Sequence, residues 1–245
     1  NPYVMIGAGL GAITKLGAQA EQTSVAFTTL VGSETKAKDM LAEITQYANA
    51  TPFGKMDLVN NARTMLNFGV ATGKVIPLLK ELGDISGGNK EHMQALSLVL
   101  GQASAAGHLM GQDLMQFNSA GWNPLQDLAE ISGKSMAEVK EKMSKGQITF
   151  EDITKAMQHA TSEGGRFYGM MDAQSKTVSG KFSTLKDTIT SNVTDMFKKI
   201  KEPINSLLDM SINIVPKIMN IISVLFGKII SGIKFIIQYR QEFAI

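Results

Sequence analysis

The three histidines, His92, His108 and His159, are the side chains of this sequence best suited to bind a metal ion or to transfer a proton near neutral pH. They lie 16 and 51 residues apart, and no two of them have the four-residue spacing that places two histidine ligands on one face of a helix. The chain has no cysteine, which excludes thiolate nucleophiles, disulfides and cysteine-ligated zinc. The sequence therefore predicts no metal site.

A glycine motif near the start could bind a nucleotide. Gly7-Ala-Gly9-Leu-Gly11-Ala12 follows the apolar residues 3–6 and fits a loose dinucleotide-binding pattern, in which glycines let the backbone approach a pyrophosphate. No second strand follows the motif. A dinucleotide site also needs an acidic residue at the end of that strand, and the one nearest the expected position, Glu34, instead opens a helical pattern. The alternative is a helix face of small residues that lets another helix approach closely. We favour the helix face.

The patterns of the common catalytic sites are missing from the sequence. It contains no G-x-S-x-G nucleophile elbow and no phosphate-binding P-loop, and its carboxylates are scattered over predicted solvent faces. We therefore expect no catalytic residues, no cofactor-binding residues and no cofactor, and we do not expect an enzyme.

The charge of the chain is unevenly distributed. The 245 residues carry a formal net charge of +2, but residues 197–245 contain seven basic and three acidic side chains, so this tail is +4 and the remainder is −2. A sequence-specific nucleic-acid reader would need a dense basic stripe on its folded part. An apolar, basic tail suits a membrane surface or partner helices better.

Capping and breaking signals divide the first part of the chain into short helices. Ser33 precedes a helical pattern that Thr51-Pro52 ends, and residues 55–68 show apolar spacing of three or four. Asn89 can cap the next helix; Ser135 with Glu138 and Thr149 with Asp152 have the spacing of capping boxes. We predict at least seven short helices between residues 33 and 162 and an all-α fold.

The tail has a different pattern. Helical periodicity runs from residue 181 to about 239, with kinks expected at Pro203 and Pro216. Its longest charge-free run between lysines, residues 218–227, is shorter than the roughly 18 to 20 residues of a membrane span. One arc of about 140° on a helical wheel is polar, and the rest is almost entirely aliphatic. The polar residues are Asn213, Lys217, Asn220, Ser223, Lys228, Ser231, Lys234 and Gln238. Such a helix can lie in a membrane interface, pack in an oligomer, line a pore or be an ordinary core helix.

These patterns divide the chain into three predicted segments. They are an N-terminal small-residue-rich helix (1–32), a compact domain of short helices (33–180) and a long amphipathic helical tail (181–245). The chain opens with Asn1-Pro2 instead of Met and ends in an apolar stretch, so we expect it to be part of a longer chain.

Several short phrases, in this order, carry a resemblance to a known family. They are Thr51-Pro-Phe53, Asp57-Leu-Val, Leu66-Asn-Phe68-Gly69, Leu82-Gly-Asp84-Ile85, Leu100-Gly-Gln102, Ala106-Gly107-His-Leu109, Gly146-Gln-Ile148-Thr149, Glu163-Gly-Gly-Arg-Phe-Tyr-Gly-Met, Ser175-Lys-Thr177 and Ser179-Gly180. Together they resemble the tape measure domain of long-tailed bacteriophages and prophages, over about residues 16–187. Trp122 stands where we expect a smaller aliphatic residue in that family, and we interpret it as a core anchor beside a turn.

The resemblance implies a structural virion protein that sets tail length and is a scaffold for tail-tube assembly, with a role in genome passage through the host membrane. It implies the tail-tube protein, tail assembly chaperones and tail-tip or baseplate proteins as partners, a homo-oligomer, and a location in the tail lumen after assembly in the host cytoplasm. It implies no sequence-specific binding to nucleic acid. The alternative is a membrane-active or pore-forming helical protein whose body is a soluble holding domain.

The phrase that begins at Glu163 allows two interpretations. Gly164-Gly165 can end the preceding helix, because glycine readily adopts the positive φ found past a helix C-terminus, and residues 166–168 then dock an irregular or strand-like piece on the body. Alternatively, Arg166 binds a ligand. We favour the first interpretation, because no ionisable partner for Arg166 lies within the phrase.

Overall fold

Helices make up most of residues 2–177, and residues 33–177 form the body of the chain. The computed structural model describes the backbone of residues 2–177 and scattered positions between 192 and 231, with side chains in the first helix described at residue 15 and from residue 17 onward. Ten helices lie in the continuous part, and no strand occurs among the described residues. The helices are α1 (Pro2–Val31), α2 (Glu34–Ala50), α3 (Lys55–Asn67), α4 (Thr72–Ser86), α5 (Lys90–Ala106), α6 (Gly111–Ser119), α7 (Pro124–Ser132), α8 (Met136–Ser144), α9 (Phe150–Thr161) and α10 (Met170–Ser175). The predicted all-α fold is confirmed.

The predicted caps are present at four helix N-termini. The side chain of Ser33 accepts from the Lys36 amide, and that of Asn89 accepts from His92. Reciprocal capping boxes join Ser135 to Glu138 and Thr149 to Asp152. Each box satisfies two backbone donors that a helix start would otherwise leave without partners. Local polar signals therefore set where α2, α5, α8 and α9 begin.

The core of the body is aliphatic and methionine-rich. Helix α3 packs on α5, α7 packs on α9, and α4 lies against α5 and α9. Phe27 anchors the end of α1 and is fully buried. The largest side chains with almost no exposed surface are Trp122, Phe27, Phe53, Phe117, Ile44, Leu58, Met65, Leu79, Leu82, Met93, Leu96 and Leu100. Burial of this apolar surface is the main force that holds the short helices together.

The glycine motif at residues 7–12 lies inside α1. Residues 3–6, which a dinucleotide motif would need as a strand, are helical as well. Among the described residues, no helix is both long enough and apolar enough to cross a bilayer.

The chain divides into two compact units, residues 1–194 and 195–245. Most of the predicted amphipathic tail, including Pro203, lies outside the described residues. Those of its positions that are described are helical, and five polar ones that belong to the predicted polar arc are exposed: Lys217, Asn220, Ser223, Lys228 and Ser231.

Candidate functional site

A buried carboxylate on α7 is the most connected polar group of the body. Asn123 caps α7 with its side chain and Pro124 occupies the first turn, which places Asp127 one turn into the helix and only 1% exposed. Its Oδ2 accepts hydrogen bonds from Nε1 of Trp122 at 2.8 Å and from Nη2 of Arg166 at 2.9 Å. A buried charge is tolerated only when it is paired and hydrogen-bonded, and Asp127 meets both conditions.

The other oxygen of Asp127 faces α9. Nδ1 of His159 lies 3.3 Å from Oδ1 of Asp127 and 3.9 Å from Oε2 of Glu130, which is one turn further along α7. The side chains of His159 and Glu130 are 40% and 49% exposed. One face of this cluster is therefore buried by the core, and the other is open to solvent.

Trp122 is the core anchor that the sequence predicts. Its ring is 1% exposed and packs edge-on against Phe117, with 5.1 Å between the ring centroids. Its indole donor points to Asp127, so the bulky side chain is fixed by both packing and a hydrogen bond.

Arg166 has a partner that lies outside its own phrase. The pairing with Asp127 spans 39 residues, and Nη1 of Arg166 donates to Gln126 at 3.1 Å. The guanidinium also lies 5.4 Å from the centroid of the Phe167 ring. The prediction that residues 166–168 dock on the body holds for Arg166 and Phe167, whereas Tyr168 is 61% exposed. The ionisable partner of Arg166, Asp127, lies outside the phrase.

The two glycines before Arg166 follow the end of α9. The helix ends at Thr161, and Gly164 has a φ of +86°. A Cβ at Gly165 would collide with the carbonyl oxygens of His159 and Ala160 in the last turn of α9. Only glycine therefore lets the backbone at this position lie so close to the end of the helix. The predicted role in ending the helix holds. Of the two predicted alternatives, the piece that follows is irregular and not strand-like. It is a run of turns that leads into α10, whose first turn donates to Asp84.

Phe68, at the end of α3, packs against Gly101 of α5, and both residues belong to the phrases. A Cβ at Gly101 would lie 2.8 Å from Cδ2 of Phe68, so the missing side chain makes room for that ring. Gly101 is therefore required by packing and not by backbone conformation.

The linkers before α6 and before α9 pair through a short antiparallel bridge between His108 and Thr149. The amide of Leu109 donates to Ile148 at 2.8 Å, and that of Phe150 donates to Gly107 at 3.1 Å. Both linkers belong to the quoted phrases, and the bridge holds the start of α9 against the end of α5.

Helix α10 is attached to α4 through Asp84, which belongs to one of the phrases. The amide of Met171 donates to Oδ1 of Asp84 at 2.7 Å. Gly83 leaves space for the Tyr47 hydroxyl and for Met171. Burial and the neighbouring Asp84 raise the pKa of Glu81 to about 7, and burial also raises the pKa of Asp84. The Glu81 Oε2 atom is buried without a hydrogen-bond partner.

The three histidines do not come together. His159 joins the Asp127 cluster, Nδ1 of His108 lies 3.0 Å from the Ala106 carbonyl oxygen, and His92 lies in the first turn of α5. Sequence reasoning missed Asp127 and Glu130, although their three-residue spacing on one helix was a signal, since it places both on one face.

A shallow cavity of about 400 Å³ lies between α2 and the start of α4. Lys36, Asp39 and Glu43 line it together with Met40 and Ile76. It shares no residue with the Asp127 cluster, and no histidine lines it.

These contacts describe a helical structural module, in which residues of several phrases join helices of the body to one another. A sequence family described as tape measure protein matches residues 11–198. The chain belongs to this family, whose members are structural components of phage tails.

A curated relative is the "Probable tape measure protein" of Escherichia phage Mu, 27% identical over 140 residues. The match covers 56% of this chain and 20% of the phage Mu protein, so the chain corresponds to a small part of that relative. No solved structure matches the chain.

Proposed function

We propose that this chain contains the folded helical module of a protein that sets the length of a phage tail and is a scaffold for tail-tube assembly. The single observation that carries the proposal is the family match over residues 11–198. The contacts made by phrase residues support a structural role, since Phe68, Gly101, Asp84 and Arg166 join helices to one another or to the segments that connect them.

The body itself is too compact to be the ruler. For the roughly 145 residues of the body (33–177), the usual scaling gives a radius of gyration of about 15 Å, or a diameter of about 40 Å for a uniform sphere. The same residues in one continuous helix would span about 220 Å, at a rise of about 1.5 Å per residue. Length measurement therefore belongs to helical sequence outside the body, and the body is a terminal or anchoring module.

The proposed partners are the tail-tube protein, the tail assembly chaperones and the tail-tip or baseplate proteins. Several copies of the chain lie together in the tail lumen, after assembly in the host cytoplasm. Sequence-specific binding to nucleic acid is not part of the proposal.

The second candidate function is membrane activity during infection, when the protein leaves the tail and aids genome passage. The exposed polar positions Lys217, Asn220, Ser223, Lys228 and Ser231 and the aliphatic residues between them support an amphipathic helix at a membrane surface. In the alternative, a pore-forming protein, this activity would be the main function and the body a holding domain.

Virion composition tests the proposal. Purified tails should contain peptides from residues 33–177, whereas capsids separated from tails should contain none. An early stop codon in the gene should remove tails of uniform length, and the gene supplied in trans should restore them. Full-length tails that lack the protein would contradict the proposal.

A further inference from the structure

Three possible metal ligands converge where two helices meet: Asp127 and Glu130 of α7, and His159 of α9. One possible ligand atom of each residue lies within 4.8 Å of those of the other two. The distances measured from Nδ1 of His159 are 3.3 Å to Asp127 and 3.9 Å to Glu130. All three atoms can accept a cation or a hydrogen bond.

We propose that Asp127, Glu130 and His159 bind one Zn²⁺ ion, which joins α7 to α9. Zinc suits a mixed set of one imidazole nitrogen and two carboxylate oxygens, with water in the fourth position. Mg²⁺ and Ca²⁺ prefer sites made of oxygen alone.

The distances fit this coordination with a small adjustment. Four ligands at about 2.1 Å from zinc in a tetrahedron lie about 3.4 Å from one another. The 3.3 Å distance between His159 and Asp127 already matches this value. The 3.9 Å distance to Glu130 requires that side chain to approach, and its exposure of 49% leaves it room to do so.

The surroundings of Asp127 prepare it as a ligand. Trp122 and Arg166 both donate to Oδ2, so they fix the buried carboxylate and leave Oδ1 directed at His159. Hydrogen bonds from outer groups orient metal ligands in this way in many sites. Arg166 also neutralises one of the two carboxylates, which lowers the attraction for a divalent cation, so the site binds zinc less tightly than one without the guanidinium.

A proton is the competitor for this position. A proton on Nδ1 of His159 can form a hydrogen bond with Oδ1 of Asp127. It cannot do the same with Glu130, whose Oε2 is 3.9 Å from Nδ1 and beyond hydrogen-bond distance. Zinc can take the position of this proton and contact both carboxylates, and the hydrogen of the neutral ring then lies on Nε2.

The test is calorimetric titration of the 245-residue chain with ZnCl₂, after treatment with EDTA and without a histidine tag. Visible absorption of bound Co²⁺ reports four-coordinate geometry in parallel. We expect one ion per chain and a rise of the thermal unfolding midpoint with zinc. Glu130→Gln and His159→Gln should each weaken binding at least about tenfold, while His92→Gln should leave it unchanged.

Two results would overturn the proposal. The first is the absence of saturable zinc binding by the folded wild-type chain, which would leave the cluster as an ion pair of Asp127 with Arg166 and His159. The second is zinc binding that both ligand variants retain, which would place the ion elsewhere. Circular dichroism of each variant ensures that lost binding is not lost folding, because Glu130 and His159 are partly exposed and their glutamine variants should remain helical.

Discussion

Arg166 reaches back across 39 residues to place Nη2 at 2.9 Å from Oδ2 of Asp127, whose side chain is 1% exposed. Through this contact, the turn after α9 is attached to the first turn of α7. Trp122 donates to the same oxygen. One carboxylate thus holds together the loop before α7, the helix itself and the segment that leads to α10.

Replacing Arg166 with Gln should lower the free energy of unfolding by about 1–3 kcal/mol, since a charged hydrogen-bond donor is removed and the buried Asp127 loses its cationic partner. Urea unfolding in the presence of EDTA measures the loss without bound metal. Arg63→Gln is the matched control, because Arg63 is exposed on α3, and it should change stability by less than about 0.5 kcal/mol. Equal losses in the two variants would contradict the anchoring role.

Gly101→Ala should destabilise the body by about 1–3 kcal/mol, since the new methyl group overlaps the ring of Phe68. Gly73→Ala is the control: its Cβ would meet no atom within 4 Å, so we expect a neutral or slightly stabilising effect. Combining Gly101→Ala with Phe68→Leu should cost less than the sum of the two single changes. Additive losses would show that the ring does not fill this space.

The extent to which the sequence predicted this structure depends on how local each signal is. The capping boxes at Ser135 and Thr149 involve residues three apart, so their chemistry is visible in the sequence, and both are present. The partner of Arg166 lies 39 residues away and that of His159 lies 32 residues away. Such pairs depend on how α7 packs on α9, which a single sequence does not reveal.

Glycines illustrate the same distinction. Gly164 has the positive φ expected after a helix end, which its position in the sequence predicted. Gly101 lies within α5, and its role depends on Phe68 of another helix. A glycine required by tertiary packing has no local signature beyond its low helix propensity.

The stability of the body should fall as the pH rises from about 5 to 8. The pKa of Glu81 is raised to about 7 in the folded body, so the folded state binds more protons than the unfolded state between the ordinary glutamate pKa and 7. Linkage then makes folding less favourable across this range as the pH increases. Thermal unfolding at pH 5.5 and pH 8 measures the change.

Glu81→Gln should remove most of this dependence, because the neutral amide imitates the protonated acid. Glu91→Gln, at an exposed position of α5, should leave the dependence intact. If the unfolding midpoints of the wild type and of Glu81→Gln keep the same difference at both pH values, Glu81 is not the group responsible.

A peptide of residues 205–239 should self-associate and permeabilise anionic vesicles, whereas the body should do neither. The peptide carries lysines on one arc, and a lysine at the centre of a bilayer costs about 2.5 to 3.5 kcal/mol on insertion scales. Several copies can direct this arc to water or to one another. Dye release and analytical ultracentrifugation measure the two behaviours.

Replacing Ile222, Ile229 and Ile233 with Asp should abolish both behaviours of the peptide, since charge then lies where lipid or packing is required. Moving the lysines off their arc at constant composition should impair them as well. A native peptide that stays monomeric and leaves vesicles intact would remove the membrane role and leave a helix packed in the tail lumen.

Tail length in electron micrographs is the most direct test of the central claim. In-frame removal of 60 residues of predicted helix outside residues 33–177 should shorten the tails by about 90 Å, at about 1.5 Å per residue. Removal of residues 33–177 should instead stop assembly of normal tails, because an anchoring module is lost and not a length of ruler. Tails of unchanged length after the first deletion, or tails about 220 Å shorter but otherwise normal after the second, would contradict the account.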